Sequence, residues 1–322
     1  MFTREHVNIM NTVNMMNTMN MMNTVNAMNM MNTYLFFYNH LFITLLHMII
    51  VIQCKDQVGL VATITNVLAR AQLNVITLRE YVDQAENLFF MRLQIEETTD
   101  SALLEQKLKE LLPADALVHV NPLPLKKVVV MVTKEYHCLA DILIRNYFKT
   151  LGASVQCVIG NHPDLQNICE RFDMPFSLVS HENKTKDEFE QQITDIIQPY
   201  QPDYIVLAKF MRILSPRFVA QYPMRVINIH HSFLPAFIGA NPYRQAYERG
   251  VKLIGATAHF VSNDLDEGPI IAQQINPVNH SFTVSDMVKA GKEIETAVLA
   301  KALKLVFEDR VFVYSNKTVV FE

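Results

Sequence analysis

Val226-Ile-Asn-Ile-His-His-Ser-Phe-Leu-Pro235 opens on a short apolar run and closes on a polar turn, the pattern of a buried strand that delivers side chains to its own end. Alternation along a strand puts Asn228 and His230 on one face and turns His231 to the other. Downstream, Thr257, His259 and Val261 alternate along a second expected strand. The polar loop after it carries Asp264, Asp266 and Glu267 and ends at Gly268-Pro269. Gly239 and Gly268 read as permissive backbone points in loops.

A carboxamide NH2 donates to a developing oxyanion, a histidine donates to the same oxygen or shuttles a proton, and a carboxylate takes a proton from water. Asn228, His230 and Asp266 together are therefore equipment for attack on an acyl carbon. The same residue types also serve plain structure: Asn228 closing a turn, His230 satisfied in a core, Asp266 capping a loop. Spacing alone does not choose between the two.

The run Asn228-Ile-His-His-Ser-Phe-Leu-Pro-Ala-Phe-Ile-Gly-Ala240, the run His259 to Pro269, and Val206-Leu-Ala-Lys-Phe-Met-Arg-Ile-Leu214 together resemble the folate-dependent formyltransferase family, its hydrolytic branch above all. The likeness extends from about Met48 to the C-terminus. It implies a hydrolase that converts 10-formyltetrahydrofolate to formate and tetrahydrofolate, supplying formate for purine synthesis and balancing folate pools. No metal and no cofactor beyond the folate substrate is implied. The resemblance makes Asn228, His230 and Asp266 catalytic. It borders the pterin with Met211, Arg212, Ile213, Leu214 and Val261, and gives Lys209 and His259 a secondary place.

The formyl group is an amide on an aryl nitrogen, so hydrolysis needs a water nucleophile, a stabilised oxyanion and a protonated leaving nitrogen. Asn228 would donate to the oxyanion, and His230 would share that task and pass a proton to the nitrogen. Asp266 would orient and deprotonate water, and within reach of His230 its charge would favour the imidazolium.

The 322 residues, 50% of them hydrophobic, leave room for two domains. A net charge of -4 supplies no basic face for nucleic acid. Cys54, Cys138, Cys157 and Cys169 form neither a C-x-x-C pair nor a zinc spacing, which points to a reducing, cytoplasmic protein without disulfide frame or metal.

Residues 1–47 stand apart. Positions 10–33 repeat a Met/Asn hexapeptide, and ten of the 17 methionines fall in residues 1–33, so no period defines a core face and disorder is expected. A short DNA repeat translates into such a pattern, and the native start is expected downstream, near Met48. Tyr34 to Ile52 approaches the ~20 residues of a membrane span. Asn39, His40, Thr44 and His47 interrupt it and it lacks a basic flank, so no anchor is expected.

Residues 48–121 read as β-α-β-β-α-β, a ferredoxin-like unit. Cys54-Lys-Asp-Gln-Val-Gly-Leu-Val-Ala-Thr-Ile-Thr-Asn-Val-Leu68 resembles the opening of an ACT domain. That resemblance implies an amino-acid effector near Asp56, Gly59 and Leu60, or plain dimerisation, with subunits joined into a homo-oligomer.

Pro122 and Pro124 mark a linker at 122–126, and residues 127–322 alternate strands and helices as a Rossmann-like, mostly parallel α/β sheet. Such sheets bind ligands beyond the carboxyl ends of their strands, where Lys209 to Leu214 and His230 to Ser232 both emerge and should face each other. The helix from Ser281 to Leu305, started by Thr283 or Ser285, reads as scaffold.

Relatives that formylate a phosphorylated ribonucleotide carry a glycine-rich loop after the first strand of this domain. Here Thr133-Lys-Glu-Tyr-His-Cys-Leu139 has no glycine, so the formyl group is expected to go to water; Lys134 and His137 either meet some other anion there or belong to a solvated turn. The C-terminus reads as a hairpin around Ser315 to Lys317, without the basic domain that an acceptor tRNA requires. Two other readings stay open: formyl transfer to an unphosphorylated amine, and a non-catalytic folate or amino-acid sensor.

Overall fold

The computed structural model describes residues 47–96, 99–121, 125–235 and 242–322. The repeat at 10–33, the apolar run up to residue 46, the linker prolines Pro122 and Pro124, and Gly239 lie outside the described residues.

The N-terminal unit comprises β1 (Met48–Lys55), α1 (Leu60–Arg70), β2 (Val75–Asp83), β3 (Leu88–Ile95), α2 (Ser101–Leu111) and β4 (Leu117–Asn121). Its sheet runs β2-β3-β1-β4, antiparallel throughout, as the βαββαβ reading requires. Ile50 and Ile52 on β1 and Met91 and Leu93 on β3 pack against Ile64 and Leu68 of α1 and Leu104 and Leu108 of α2. Each such side chain contributes about 1.5–3 kcal/mol when fully buried. Met48 to Ile52, the tail of the apolar run, is thus a core strand. Among the described residues no helix is long and apolar enough to cross a membrane.

The second unit comprises β5 (Lys126–Val132), α3 (His137–Tyr147), β6 (Ala153–Gly160), α4 (Gln166–Arg171), β7 (Phe176–Leu178), α5 (Lys186–Ile197), β8 (Tyr204–Leu207), α6 (Pro216–Val219), β9 (Val226–His230), α7 (Pro242–Arg249), β10 (Leu253–Phe260), β11 (Ile270–Pro277) and α8 (Val284–Phe307). A hairpin of β12 (Val311–Tyr314) and β13 (Lys317–Val320) follows. The large sheet runs β11-β10-β9-β8-β5-β6-β7, parallel except for β10, which is antiparallel to both of its neighbours, β9 and β11. The chain leaves β5 outward through β6 and β7, then crosses back to lay β8 and β9 on the other side. The crevice at the carboxyl ends of β5 and β8 is therefore the switch point where such sheets bind ligands.

Thr283 caps α8 in a reciprocal box with Asp286, and the apolar stripe through Ile294, Val298, Ala302 and Val306 lies in the core between helix and sheet. The hairpin, in turn, covers the second face of the small sheet. Phe312 meets Phe90 edge-on at 5.7 Å, and Tyr314 Oη donates to Asp83 Oδ2 at 2.6 Å. Two more ties cross between the units: buried Arg92 donates through Nε to Glu308 O at 3.0 Å, and Asn121 Nδ2 donates to Asp309 Oδ2 at 2.9 Å.

Candidate active site

A cavity of about 890 Å³ opens at the carboxyl ends of β5, β8 and β9. Asn228, His230 and Asp266 line it, as do Lys209, Met211, Arg212, Ile213, Leu214, His259 and Val261. Strand pairing explains the meeting of the first group: β10 runs antiparallel to β9 with His259 opposite Asn228 and Thr257 opposite His230. The loop after β10 then folds back over the end of β9. At its close Gly268 lies against the Phe260 carbonyl so tightly that a Cβ would overlap that oxygen, so close approach rather than free rotation is what this glycine supplies.

His230, its side chain 7% exposed, places Nδ1 3.2 Å from Asp266 Oδ1, and its Nε2 is buried without a protein partner. Burial works to raise the Asp266 carboxyl, but the hydrogen bond and charge of His230, helped by His259 and His231, outweigh it and hold the group below its ordinary value. Asp266 adopts φ 57 and Lys209 φ 62, left-handed conformations that cost a non-glycine residue energy and cluster at functional sites. His259 is buried, with Nδ1 2.9 Å from the Phe260 carbonyl and Nε2 3.3 Å from Asn228 Nδ2.

The loop after β8 is held from both ends. Met211 N donates to Thr133 Oγ1 at 2.9 Å, and Ser215 N donates to the buried Glu190 Oε1 at 2.7 Å. Met211 and Ile213 project exposed apolar side chains, 56% and 63%, beside this polar floor. A flat aromatic ligand with hydrogen-bonding edges suits such a wall.

Two sequence expectations change. His231 does not turn away: β9 ends at His230, alternation stops there, and the His231 ring sits 5.0 Å from that of His230 along the same cavity. Burial, with the charges of Lys209 and His230, pushes its imidazole down to about 4, so it is neutral. Of the two readings of the 133–139 loop, the contact with an anion holds for His137, which begins α3 with its side chain 8% exposed and its Nε2 2.8 Å from Glu295 Oε2. Helix α8 is more than scaffold, since Glu295 and Lys292 reach the cavity from it. Lys209 lines the cavity, with its Nζ 3.1 Å from Glu295 Oε2.

Glu295 is the functional-looking residue that sequence reasoning passed over. Its carboxylate, 1% exposed, also accepts from Tyr243 Oη at 2.6 Å. Burial opposes its charge, but His137, Lys209 and Tyr243 bring it down to about 2. Among the described residues His137, Cys138 and Glu295 lie close enough to share an ion. Lys209 and Tyr243 already occupy that carboxylate, and burial pushes the Cys138 thiol up, so the donor set suits an internal ion pair better than a metal.

At the β1–α1 turn, Gly59 takes φ 93 and its carbonyl accepts Thr63 N at 2.9 Å. Leu60 is 3% exposed and faces the core, so only its backbone is placed to meet an effector. Asp56 N donates to Asn87 O at 3.0 Å.

The formyl transferase family profile matches residues 126–303, and the ACT domain profile matches residues 47–112. The chain is 52% identical over 272 residues to the formyltetrahydrofolate deformylase of Haemophilus influenzae, covering 84% of this chain and 98% of that one. It is 42% identical over 282 residues to that of Bacillus subtilis, covering 84% and 93%. The crystal structure of a formyltetrahydrofolate deformylase from Pseudomonas syringae pv. tomato superposes with a TM-score of 0.82 at 37% identity, covering 90% of this chain and 99% of that one. Glycinamide ribonucleotide transformylase 1 from Symbiobacterium toebii reaches a TM-score of 0.59 at 28% identity, covering 62% and 95%. A ferredoxin-like unit on a formyl transferase sheet, matched along most of its length at half identity, places the chain in the formyltetrahydrofolate deformylase family.

Proposed function

We propose that this chain hydrolyses 10-formyltetrahydrofolate to formate and tetrahydrofolate, the reaction that its relatives' name describes. The observation that carries the reading is His230, held by Asp266 on Nδ1 and presenting a buried, unpartnered Nε2 beside Asn228 in a cavity large enough for a pterin.

The pterin lies against Met211 to Leu214 and Val261, and the formyl oxygen points to Asn228 Nδ2 and His230 Nε2. Water held by Asp266 attacks the formyl carbon. A carboxylate kept below its usual range is a weak base, so its proton transfer accompanies carbon–oxygen bond formation instead of preceding it. The tetrahedral oxyanion is stabilised by donors fixed in place before reaction, where little reorganisation is needed. His230 then delivers a proton to the leaving nitrogen, and formate and tetrahydrofolate separate. No cofactor takes part.

In the wider reading the formate serves purine synthesis, the ACT unit joins subunits or senses an amino acid at the Asp56 to Leu60 turn, and the protein works in the cytoplasm. Four buried, unpaired cysteines support a reducing compartment. The test is formate release from 10-formyltetrahydrofolate with no amine present, for the intact chain, Asp266→Asn and His230→Ala. Stoichiometric formate and tetrahydrofolate, lost in both variants, supports the assignment. Tight folate binding without formate release sinks it in favour of a sensor.

A further inference from the structure

On the His231 side of His230 the cavity wall holds a cluster that the proposed hydrolysis does not use. Glu295 on α8 gathers His137 Nε2 from the start of α3 at 2.8 Å, Tyr243 Oη from α7 at 2.6 Å and Lys209 Nζ from the loop after β8 at 3.1 Å. Tyr243 connects it to the reacting end, its ring 6.4 Å from that of His231, which in turn lies 5.0 Å from His230. Lys209 follows two residues after Leu207, the β8 partner of Asn228, and Lys209 and Asn228 line the same cavity.

Asn228, His230 and Asp266 do not themselves distinguish water from an amine, because either lone pair attacks a formyl carbon held in this way. Structural neighbours on the same fold are named for transfer to glycinamide ribonucleotide. Selectivity for water must then lie in what the cavity allows beside the formyl group. A buried carboxylate with hydrogen-bond donors around it is a seat for an ammonium group, and here the chain's own ammonium fills it.

We propose that Lys209 is the residue that keeps amines out: its ammonium occupies Glu295, the carboxylate that would otherwise seat an acceptor amine beside the formyl carbon, and water remains the nucleophile. This inference rests on the hydrolysis proposed above. With the seat open, an amine loses a proton to solvent and its nitrogen lone pair forms the new C–N bond. The bond from the formyl carbon to the folate nitrogen breaks, the attacking nitrogen gives up a second proton, and the folate nitrogen takes one. The products are the N-formyl amine and tetrahydrofolate, with no oxidant or reductant involved.

The test uses the full chain with 10-formyltetrahydrofolate and glycinamide as the probe amine, reading N-formylglycinamide and formate together so that the product ratio is independent of overall rate. The intact chain is expected to give formate alone, with a rate that glycinamide does not change. Lys209→Met is expected to produce N-formylglycinamide in a share that rises with glycinamide, raising the transfer-to-hydrolysis ratio by about tenfold or more, and adding Glu295→Gln should abolish the gain. Lys209→Gln, which keeps a polar contact, is the second opening variant, and thermal melts establish that each is folded. A folded, formate-releasing Lys209→Met or Lys209→Gln that makes formate only overturns the proposal. So does competitive slowing of the intact chain by glycinamide. Absence of formate from the intact chain would count against hydrolysis itself, a separate failure.

Discussion

His259 Nε2 lies 3.3 Å from Asn228 Nδ2, while His259 Nδ1 lies 2.9 Å from the Phe260 carbonyl. A carbonyl only accepts, so Nδ1 carries the proton and Nε2 must accept from the carboxamide. The Asn228 NH2 is thereby turned, leaving its second N–H for the cavity. His259→Gln is expected to lower kcat for formate release by roughly 10- to 100-fold with little change in KM, and Asn228→Ala by about 100- to 1,000-fold. Steady-state kinetics check both, and an unchanged kcat in His259→Gln would remove this histidine from the amide's orientation.

Asp266 is held below the ordinary carboxylate value: burial pushes against this, and the His230 hydrogen bond and charge overcome it. It is therefore ionised through the neutral and mildly acidic range. Any acid limb of kcat/KM seen above the ordinary carboxylate range must come from another group. Carbon-13 NMR of the Asp266 carboxyl should show titration below 3.8, and a midpoint near 6 would contradict the ion pair with His230.

Protein stability should fall as the solution is acidified from neutrality. His231 is depressed from 6.5 to about 4, so the unfolded chain takes up this proton first and stability is lost as pH falls from 6.5 toward 4. Glu295, lowered from 4.5 to about 2, extends the loss, because its contribution is full above the unfolded value and disappears as pH falls through the folded one. The His231 share is at most about 3 kcal/mol. Urea titrations between pH 7 and 4 should show a shallower slope for His231→Gln than for the intact chain.

Gly291 on α8 lies flat against the Tyr243 ring, and an added Cβ would fall inside van der Waals contact with it. Gly291→Ala is expected to push Tyr243 off Glu295 and to cost about 1–3 kcal/mol, as overpacked cores do. A melting temperature equal to that of the intact chain would show that α7 yields without strain.

The C-terminal hairpin touches both the small sheet and the loop that carries Asp266. Asn316 Nδ2 donates to Glu267 O at 2.8 Å, next to Asp266, while Tyr314 of the same hairpin binds Asp83 of the small sheet. Asn316→Ala is expected to lower kcat two- to tenfold, with a stability change of about 1 kcal/mol or less, the usual size of one exposed hydrogen bond. Equal losses in the intact chain and in Asn316→Ala upon Tyr314→Phe substitution would mean that the hairpin does not transmit position from the sheet to the loop.

The order of strands and helices was legible because it depends on local pattern. The β-α-β-β-α-β order of residues 48–121 and the Thr283 cap each rest on patterns of a few residues, and the structure keeps both. The cluster around Glu295 was not legible. Its partner His137 stands 158 residues away, and a single acid on an apolar helix reads as a solvated position until the helix is laid across the sheet. The error over His231 has a similar source: alternation predicts direction only while the strand lasts, and backbone pairing ends it at His230.

By itself the sequence determined the two-unit α/β architecture, the family resemblance and the residue types for acyl attack, because short-range periodicity and motif chemistry are written in consecutive residues. Only the tertiary structure decided that Asp266 meets His230, that His259 turns Asn228, and that Lys209 is spent on Glu295. Those are distances between separate strands and helices, and they exist only once sheet register and helix packing are fixed.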